Sequence, residues 1–219
     1  MVIGGAMMKK AELERRAYTF EISAEESEAG NVITGRPIVY SERTNIGGMY
    51  DEIIEPGALN KTDLTDVRFL VNHDTKKIPL ARSRRNNGNS TMQLMPDEKG
   101  LGIKVILDTE NNSEARALYS AVKRGDISGM SFMFGVDGEE WENLESEMPI
   151  RHVRSISSVV EVSAVTFPAY ESTEINARSK EALENARSAL ENARRQSGPE
   201  VDTSELEILK LKTQTLLNV

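Results

Sequence analysis

The sequence predicts an α+β protein in which a mainly β domain is followed by a helical tail. Short segments that alternate apolar and polar residues recur between residues 17 and 167, separated by turns rich in Gly, Pro and Asn. This period of two is typical of strands. One segment near residue 115 repeats its apolar residues at helical spacing instead. After Tyr170 the aromatic residues stop, and Ala, Glu, Asn, Arg and Leu predominate.

The predicted strands follow one another along the first domain. Their limits, taken from the alternation and from the turns between them, are residues 17–23, 31–40, 49–54, 67–72, 91–94, 102–107, 127–134 and 151–167. Turn clusters at residues 44–48 and 96–100 separate neighbouring strands, and Pro168 ends the last strand. Residues 82–90 are basic and rich in Asn, which indicates a loop.

A single helix is predicted inside this domain. Asn112 or Ser113 can cap its N-terminus, because a short side-chain oxygen accepts an orphan backbone N–H there. Four apolar residues at helical spacing form one stripe, namely Ala115, Leu118, Tyr119 and Val122. Gly125 then supplies the left-handed residue at which the helix ends.

The tail is predicted to be helical and to contain a repeat. Residues 182–188 and 189–195 share a seven-residue pattern, in which Leu183 and Leu190 fall on one face beside alanines. Two heptads are too short for a coiled coil that is stable alone. A break at residues 196–199 separates this helix from a second amphipathic stretch that begins with a capping-box sequence.

These patterns divide the chain into three parts. Residues 1–16 are interpreted as a flexible leader, residues 17–171 as the main domain and residues 172–219 as the tail. Met7 and Met8 offer alternative starts within the leader.

The composition excludes several classes of function. The chain has no cysteine and two histidines, His73 and His152, so thiol chemistry is impossible and neither a metal site nor a cofactor is expected. A net charge of -8 argues against nucleic-acid binding, which needs a basic surface. No apolar run approaches the ~20 residues that span a bilayer. With no export signal, a cytoplasmic protein without a membrane partner is expected.

Two kinds of position in the main domain suggest a nucleophile and a base. His73 follows an apolar strand, where a rigid scaffold presents side chains to a site, although a solvated turn histidine gives the same pattern. Ser128 and Ser131 lie near glycines that let a substrate backbone approach, although both also fit ordinary strand or turn positions. A nucleophilic serine needs a base in reach and donors for an oxyanion.

Glu161 is a more specific signal. It interrupts an apolar run, and a carboxylate there must be exposed or paired, because burying it alone is costly. Pairing with a histidine would orient the ring and stabilise its cation, whereas a solvated residue opposite a basic side chain is the alternative. Arg82, Arg84 and Arg85 favour a solvated basic loop over contact with an acidic partner.

Four segments, in this order, resemble the prohead (capsid maturation) proteases of tailed phages. They are residues 50–59, 72–74, 123–132 and 161–170. The resemblance extends over roughly residues 17–175. Such proteases are similar to herpesvirus assemblin, so the resemblance implies a closed or nearly closed, mainly antiparallel β-barrel with peripheral helices.

The resemblance also implies serine endopeptidase chemistry. It makes His73 the general base and Ser131 the nucleophile, with Ser128 as the alternative nucleophile. Glu161 takes the third position, which is a second histidine in assemblin-type enzymes, and a carboxylate can orient the imidazole as well. The assemblin arginines that support the oxyanion are replaced here by residues 165–168, so we expect backbone N–H groups near Ser131 to bind the oxyanion.

The implied substrates are a scaffolding protein or the scaffolding segment of the major capsid protein, and the protease itself, inside the assembling procapsid in the host cytoplasm. The tail is expected to recruit the protease to the scaffold and then to be removed by self-cleavage, and a homo-oligomer fits this role. A noncatalytic, scaffold-like assembly factor that acts through its helical tail is the alternative function. An esterase is disfavoured, because residues 129–133 lack the second glycine of Gly-x-Ser-x-Gly.

Overall fold

The computed structural model describes residues 13–18, 22–28, 30–84, 89–166 and 180–197. Within them the chain forms 11 strands and two helices. The strands are β1 (Leu13–Tyr18), β2 (Ile22–Ser27), β3 (Gly30–Val39), β4 (Arg43–Ile46), β5 (Tyr50–Ile54), β6 (Arg68–Val71), β7 (Ala81–Arg82), β8 (Met92–Asp97), β9 (Gly100–Leu107), β10 (Gly129–Glu142) and β11 (Ile150–Val165). The helices are α1 (Ser113–Arg124) and α2 (Lys180–Ser197).

Seven strands form the larger sheet around the long pair β10 and β11. The main order is β1-β10-β11-β5-β4, and β6 pairs with β11 and with β7. β5 and β6 both run parallel to β11, beside residues 150–153 and 161–164 respectively. The parallel pairing brings the C-terminal ends of β6 and β11 together, which decides where the candidate site forms.

The smaller sheet has four antiparallel strands in the order β2-β3-β9-β8. Apolar side chains from both sheets and from α1 make one buried cluster, represented by Ile33, Phe69, Ile103, Leu118, Phe132 and Val162. Burial of each such side chain stabilises the fold by ~1.5–3 kcal/mol. This shared core fixes the position of the larger sheet, which carries the candidate site.

The predicted helix is confirmed together with both of its caps. The Asn112 side-chain oxygen accepts the backbone N–H groups of Glu114 and Ala115, at 2.9 and 3.3 Å. Gly125 has a φ of 81°, the left-handed conformation that a helix end requires. The predicted stripe faces the core, as Ala115, Leu118, Tyr119 and Val122 are all buried.

Helix α2 packs against the end of the larger sheet. Its buried Ala186 and Leu190 contact Tyr50 in a second apolar cluster, which also includes Ile46, Met49, Trp141 and Leu144. The Asn185 side chain donates a hydrogen bond to the Leu13 carbonyl of β1 at 3.1 Å. The helix is thus attached to both β1 and the β4–β5 hairpin.

Most predicted strands are confirmed, and three local predictions are wrong. Residues 17–23 do not form one strand: β1 and β2 belong to different sheets, and residues 19–21 lie outside the described residues. The predicted turn at residues 44–48 is shorter, because β4 extends to Ile46 and pairs with β5. Gly47 and Gly48, with φ of 60° and 70°, alone supply the left-handed backbone of that turn. The predicted turn at residues 96–100 is shorter as well, because β8 extends to Asp97 and β9 begins at Gly100.

At the level of fold class, a mostly β architecture with two helices is confirmed. The described strands divide into two sheets, so the closed barrel is not confirmed. Residues 13–16, which the sequence assigned to the leader, belong to β1. The second tail stretch after residue 199 lies outside the described residues.

Candidate active site

His73 is presented by a strained turn at the end of β6. Asn72 and His73 both have left-handed backbones, with φ of 51° and 58°, and such a residue costs on the order of 1 kcal/mol or more. The Asn72 N–H donates to the Ala164 carbonyl at 3.0 Å, and its side-chain oxygen accepts the Thr166 N–H at 3.0 Å. The end of β11 therefore holds this turn in place.

Glu161 is the buried partner of the His73 ring. Its carboxylate Oε1 is hydrogen-bonded to His73 Nδ1, and 1% of the residue is exposed. This network assigns the proton to Nδ1, which donates to the carboxylate, and leaves the lone pair on Nε2. Among the described residues none hydrogen-bonds Nε2, and 19% of the His73 side chain is exposed. His73 is therefore able to accept a proton at Nε2.

A β-bulge lets Glu161 face away from the core. The pairing of β10 with β11 skips Val160, which is an extra residue in β11. Val159 and Val162 both lie in the core, although residues three apart in a regular strand point to opposite faces. The bulge thus places a carboxylate between two core valines without burying it among them.

Ser131 lies on the same face of the sheet as Glu161. It pairs in register with Ser163 of β11, and such partners have Cα atoms ~5 Å apart and side chains on one face. Ser163 Oγ in turn donates to Glu161 Oε2 at 2.6 Å and accepts the His73 N–H at 3.1 Å. The structure thus brings the three predicted site residues to one region of the sheet.

The Ser131 hydroxyl is engaged with β1 rather than with the His73 ring. It donates a hydrogen bond to the Arg16 carbonyl at 2.6 Å, and 1% of the residue is exposed. The neighbouring candidate, Ser128, is exposed and precedes β10.

The second histidine lies away from this site. His152 is nine positions before Glu161 on β11, a separation of ~30 Å along an extended strand. Its Nδ1 is paired with Glu55 Oε1 at 2.6 Å. His152 and Glu55 therefore form a second histidine–carboxylate pair, at a distance from both predicted serines, Ser128 and Ser131.

One of the three arginines in the predicted basic loop, Arg82, forms an ion pair. Arg82 makes two hydrogen bonds to the Asp66 carboxylate, at 2.5 and 2.6 Å. Arg84 is exposed, and Arg85 lies outside the described residues.

An open cavity of about 400 Å³ adjoins the His73 turn. It is lined by Val71, Asn72, Asp74 and Lys77. A larger cavity of about 710 Å³ is lined by Tyr40 and by residues between 56 and 65 and between 96 and 98, which include none of the predicted site residues. The smaller cavity is therefore lined by residues on both sides of His73 in the sequence.

An ion cluster at β1 was not predicted from the sequence. Charged side chains from four strands meet there, namely Glu14, Arg16, Glu52, Glu139 and Arg151. Arg16 bonds the Glu52 carboxylate at 2.6 and 2.7 Å, and Arg151 bonds the Glu14 carboxylate at 2.6 and 2.8 Å. These partners are 36 and 137 residues apart in the chain, so no local spacing pattern could have indicated them.

The charges of this cluster stabilise one another. Burial lowers the pKa of Arg16, but the adjacent Glu52 and Glu14 carboxylates raise that pKa well above its usual range. Burial raises the pKa of Glu14, but the charge of Arg16 and the hydrogen bond from Arg151 lower it to about 2. The cluster thus holds β1, whose Arg16 carbonyl contacts Ser131.

Acid is expected to weaken this attachment of β1. A carboxyl whose pKa is depressed in the folded state stabilises the fold fully above its unfolded pKa and loses that contribution as the pH falls through the folded value. For Glu14 these values are 4.5 and about 2. We therefore expect the free energy of unfolding, measured by urea titration, to fall by on the order of 3 kcal/mol from this group between about pH 5 and pH 2.

The Glu14→Gln variant should lose most of this acid dependence. Asp97, on the other sheet, also has a pKa lowered to about 2, through its hydrogen bond from Arg36. Asp97→Asn is the matched control, because it should retain the contribution of Glu14. Equal acid dependence in the wild type and in Glu14→Gln would contradict the expectation.

Among the described residues, neither helix is long and apolar enough to cross a bilayer.

Comparisons with known proteins identify similar sequences and structures. A family model described as caudovirus prohead serine protease matches residues 18–188. The prohead protease of Enterobacteria phage HK97 is 31% identical over 140 residues, which cover 62% of this chain and 57% of that protein. The chain thus spans just over half the length of that relative. The structure of the bacteriophage T4 capsid assembly protease matches with a TM-score of 0.43 and 12% identity, covering 73% of this chain and 100% of that chain.

Proposed function

Because the chain belongs to the caudovirus prohead serine protease family, we propose that it is a serine endopeptidase of capsid maturation with Ser131 as its nucleophile. The observation that carries this proposal is the buried Glu161 carboxylate on His73 Nδ1, on the sheet face that also bears Ser131. A carboxylate on one ring nitrogen leaves the other nitrogen free as a base, which is what acyl transfer by a serine requires.

The reaction begins with proton transfer from Ser131 to His73. His73 Nε2 takes the hydroxyl proton while Oγ attacks the carbonyl carbon of a substrate peptide bond. Glu161 stabilises the imidazolium that forms, and backbone N–H groups near Ser131 bind the oxyanion. The imidazolium then protonates the leaving amine, and the C–N bond breaks to give an acyl-enzyme. Water activated by His73 hydrolyses the ester and restores the Ser131 hydroxyl.

The Ser131 hydroxyl must first leave the Arg16 carbonyl. A hydroxyl carries one proton, so its donation to Arg16 at 2.6 Å excludes donation to His73 at the same time. Rotation about χ1 of Ser131, together with a shift of β1, redirects this proton. The described arrangement is therefore a resting one.

The substrates of this protease are the scaffolding protein or the scaffolding segment of the major capsid protein, and the protease itself. The name of the HK97 relative, a prohead protease, supports a place inside the assembling procapsid. Self-cleavage would remove the tail from residue 172 onward, after that tail has recruited the protease to its scaffold.

A serine-directed probe tests the proposed function. The purified full chain is incubated with the major capsid protein of its phage, with and without a fluorophosphonate, and fragments and labelled peptides are mapped by mass spectrometry. We expect the capsid protein to be cut, the probe to block this cleavage, and the label to lie on Ser131. Ser128→Ala serves as the control and should be labelled and active like the wild type.

Two results would contradict the proposal. Label on Ser128 would show that the nucleophile is wrong. An uncut capsid protein together with an unlabelled chain would favour the noncatalytic assembly factor, which acts through the helical tail.

A further inference from the structure

We propose that Ser163 is a positioning residue that holds the base and its carboxylate in one geometry; this inference rests on the proposed function. Ser163 is fully buried, with 0% of its surface exposed. Its Oγ donates to Glu161 Oε2 at 2.6 Å and accepts the backbone N–H of His73 at 3.1 Å. One hydroxyl therefore joins the two residues that the proposed mechanism uses to move a proton.

The hydroxyl holds the carboxylate group of Glu161 in one orientation toward the ring. With Oε2 of Glu161 occupied by Ser163, Oε1 remains for His73 Nδ1. Because Glu161 is two positions before Ser163 on β11, both side chains lie on one face of the strand. Without Ser163 the carboxylate could rotate about its terminal bond, since such torsions have broad wells.

The same hydroxyl stabilises the strained backbone of the base. His73 has a φ of 58° directly after Asn72 with a φ of 51°, and two such residues in succession need outside support. Asn72 is held through its backbone and side chain by the end of β11. Ser163 gives the corresponding support to His73, at the point where the chain turns the ring toward Glu161.

Ser163 also lies between His73 and the nucleophile, because β11 separates β6 from β10. It is the cross-strand partner of Ser131, so its position sets the lateral spacing from His73 to the strand that bears Ser131. A small displacement of a base from its nucleophile is enough to cost roughly 10²-fold in rate. The residue thus acts through others, and substrate contact is not part of its role.

Replacement of Ser163 by alanine tests this role. In the full chain, kcat for cleavage of the capsid substrate should fall by roughly 10²-fold with KM nearly unchanged. Ser163→Thr keeps an oxygen at Oγ1 and should recover most of the lost kcat. Ser158→Ala, a half-buried serine on the same strand across the bulge, is the matched control and should behave like the wild type.

A second measurement does not depend on activity. The chain has two histidines, so the Nδ1–H proton of His73 can be followed by NMR of ¹⁵N-histidine-labelled protein with His152 as an internal reference. In Ser163→Ala the His73 signal should shift or broaden while the His152 signal stays in place. If the wild type does not cleave the capsid substrate but Ser163→Ala still shifts the His73 signal selectively, the proposed protease function fails. The positioning of His73 and Glu161 by Ser163 is then still supported. An unchanged His73 signal, or an unchanged kcat, would overturn the positioning role.

Discussion

The Ser131→Ala variant is expected to lose peptide cleavage almost completely, with kcat reduced by ~10⁶-fold, as for removal of a nucleophile from other serine proteases. Removal of Oγ leaves His73 and Glu161 paired but gives the base no hydroxyl to activate. The fold should persist, because the hydroxyl makes one neutral hydrogen bond to Arg16, which contributes ~1 kcal/mol. Cleavage rate and intact mass after expression measure the effect: the wild type should shorten itself, and the variant should stay at full length.

Ser128→Ala is the control for this comparison. It removes a hydroxyl three positions away, from an exposed site outside β10, and should leave both rate and processing unchanged. Processing of Ser131→Ala at the wild-type rate would exclude Ser131 as the nucleophile. Loss of cleavage in Ser128→Ala alone would transfer the role to Ser128.

The Glu161→Gln variant should have the second largest effect, with kcat lowered by ~10⁴-fold, as when the orienting carboxylate of a serine triad becomes an amide. In the wild type both carboxylate oxygens accept, one from His73 Nδ1 and one from Ser163 Oγ. Glutamine has one acceptor oxygen, so its NH₂ group must face either Ser163 or the ring. Where it faces the ring, the tautomer reverses and Nε2 carries the proton. Single-turnover cleavage of the capsid substrate measures this loss.

The second histidine–carboxylate pair supplies a matched control for Glu161. Glu55→Gln alters the same kind of contact, to His152 Nδ1 at 2.6 Å, on another part of β11. This variant should retain wild-type cleavage, and thermal unfolding should show that both variants are folded. Full activity in Glu161→Gln would remove Glu161 from the mechanism.

The sequence predicted those parts of the fold that local chemistry determines. Helix α1 has its cap at Asn112 and its left-handed end at Gly125, and both follow from neighbouring residues alone. The position of Glu161 in an apolar run indicated either exposure or a partner, and the structure pairs it with His73. Whether two sheets close into a barrel depends on long-range pairing, which alternation within single strands does not contain.

The features missed from the sequence depend on contacts between distant segments. The ion cluster joins Glu14 to Arg151 across 137 residues, so charge spacing carries no trace of it. Ser163 by itself carries no distinctive sequence signal, because a serine in a strand is ordinary. The Glu-x-Ser spacing at residues 161–163 does place both side chains on one face, and this was the available signal. The extra residue Val160 interrupts the alternation just before this spacing, so the face on which Glu161 and Ser163 lie cannot be read from the sequence. A bulge is recognised only from the pairing with its partner strand.

Helix α2 covers apolar surface of the larger sheet, so removal of the tail would expose that surface. Tyr50 is fully buried in the second apolar cluster, beside Ala186 and Leu190 of the helix. Any cut between β11 and α2 frees the helix from its covalent link, and its departure would uncover an aromatic patch that includes Tyr50 and Trp141. The Leu13 carbonyl would also lose its bond from Asn185. A chain cut in this way would therefore expose more apolar surface than the full chain. Its strand β1 would also be held by fewer contacts.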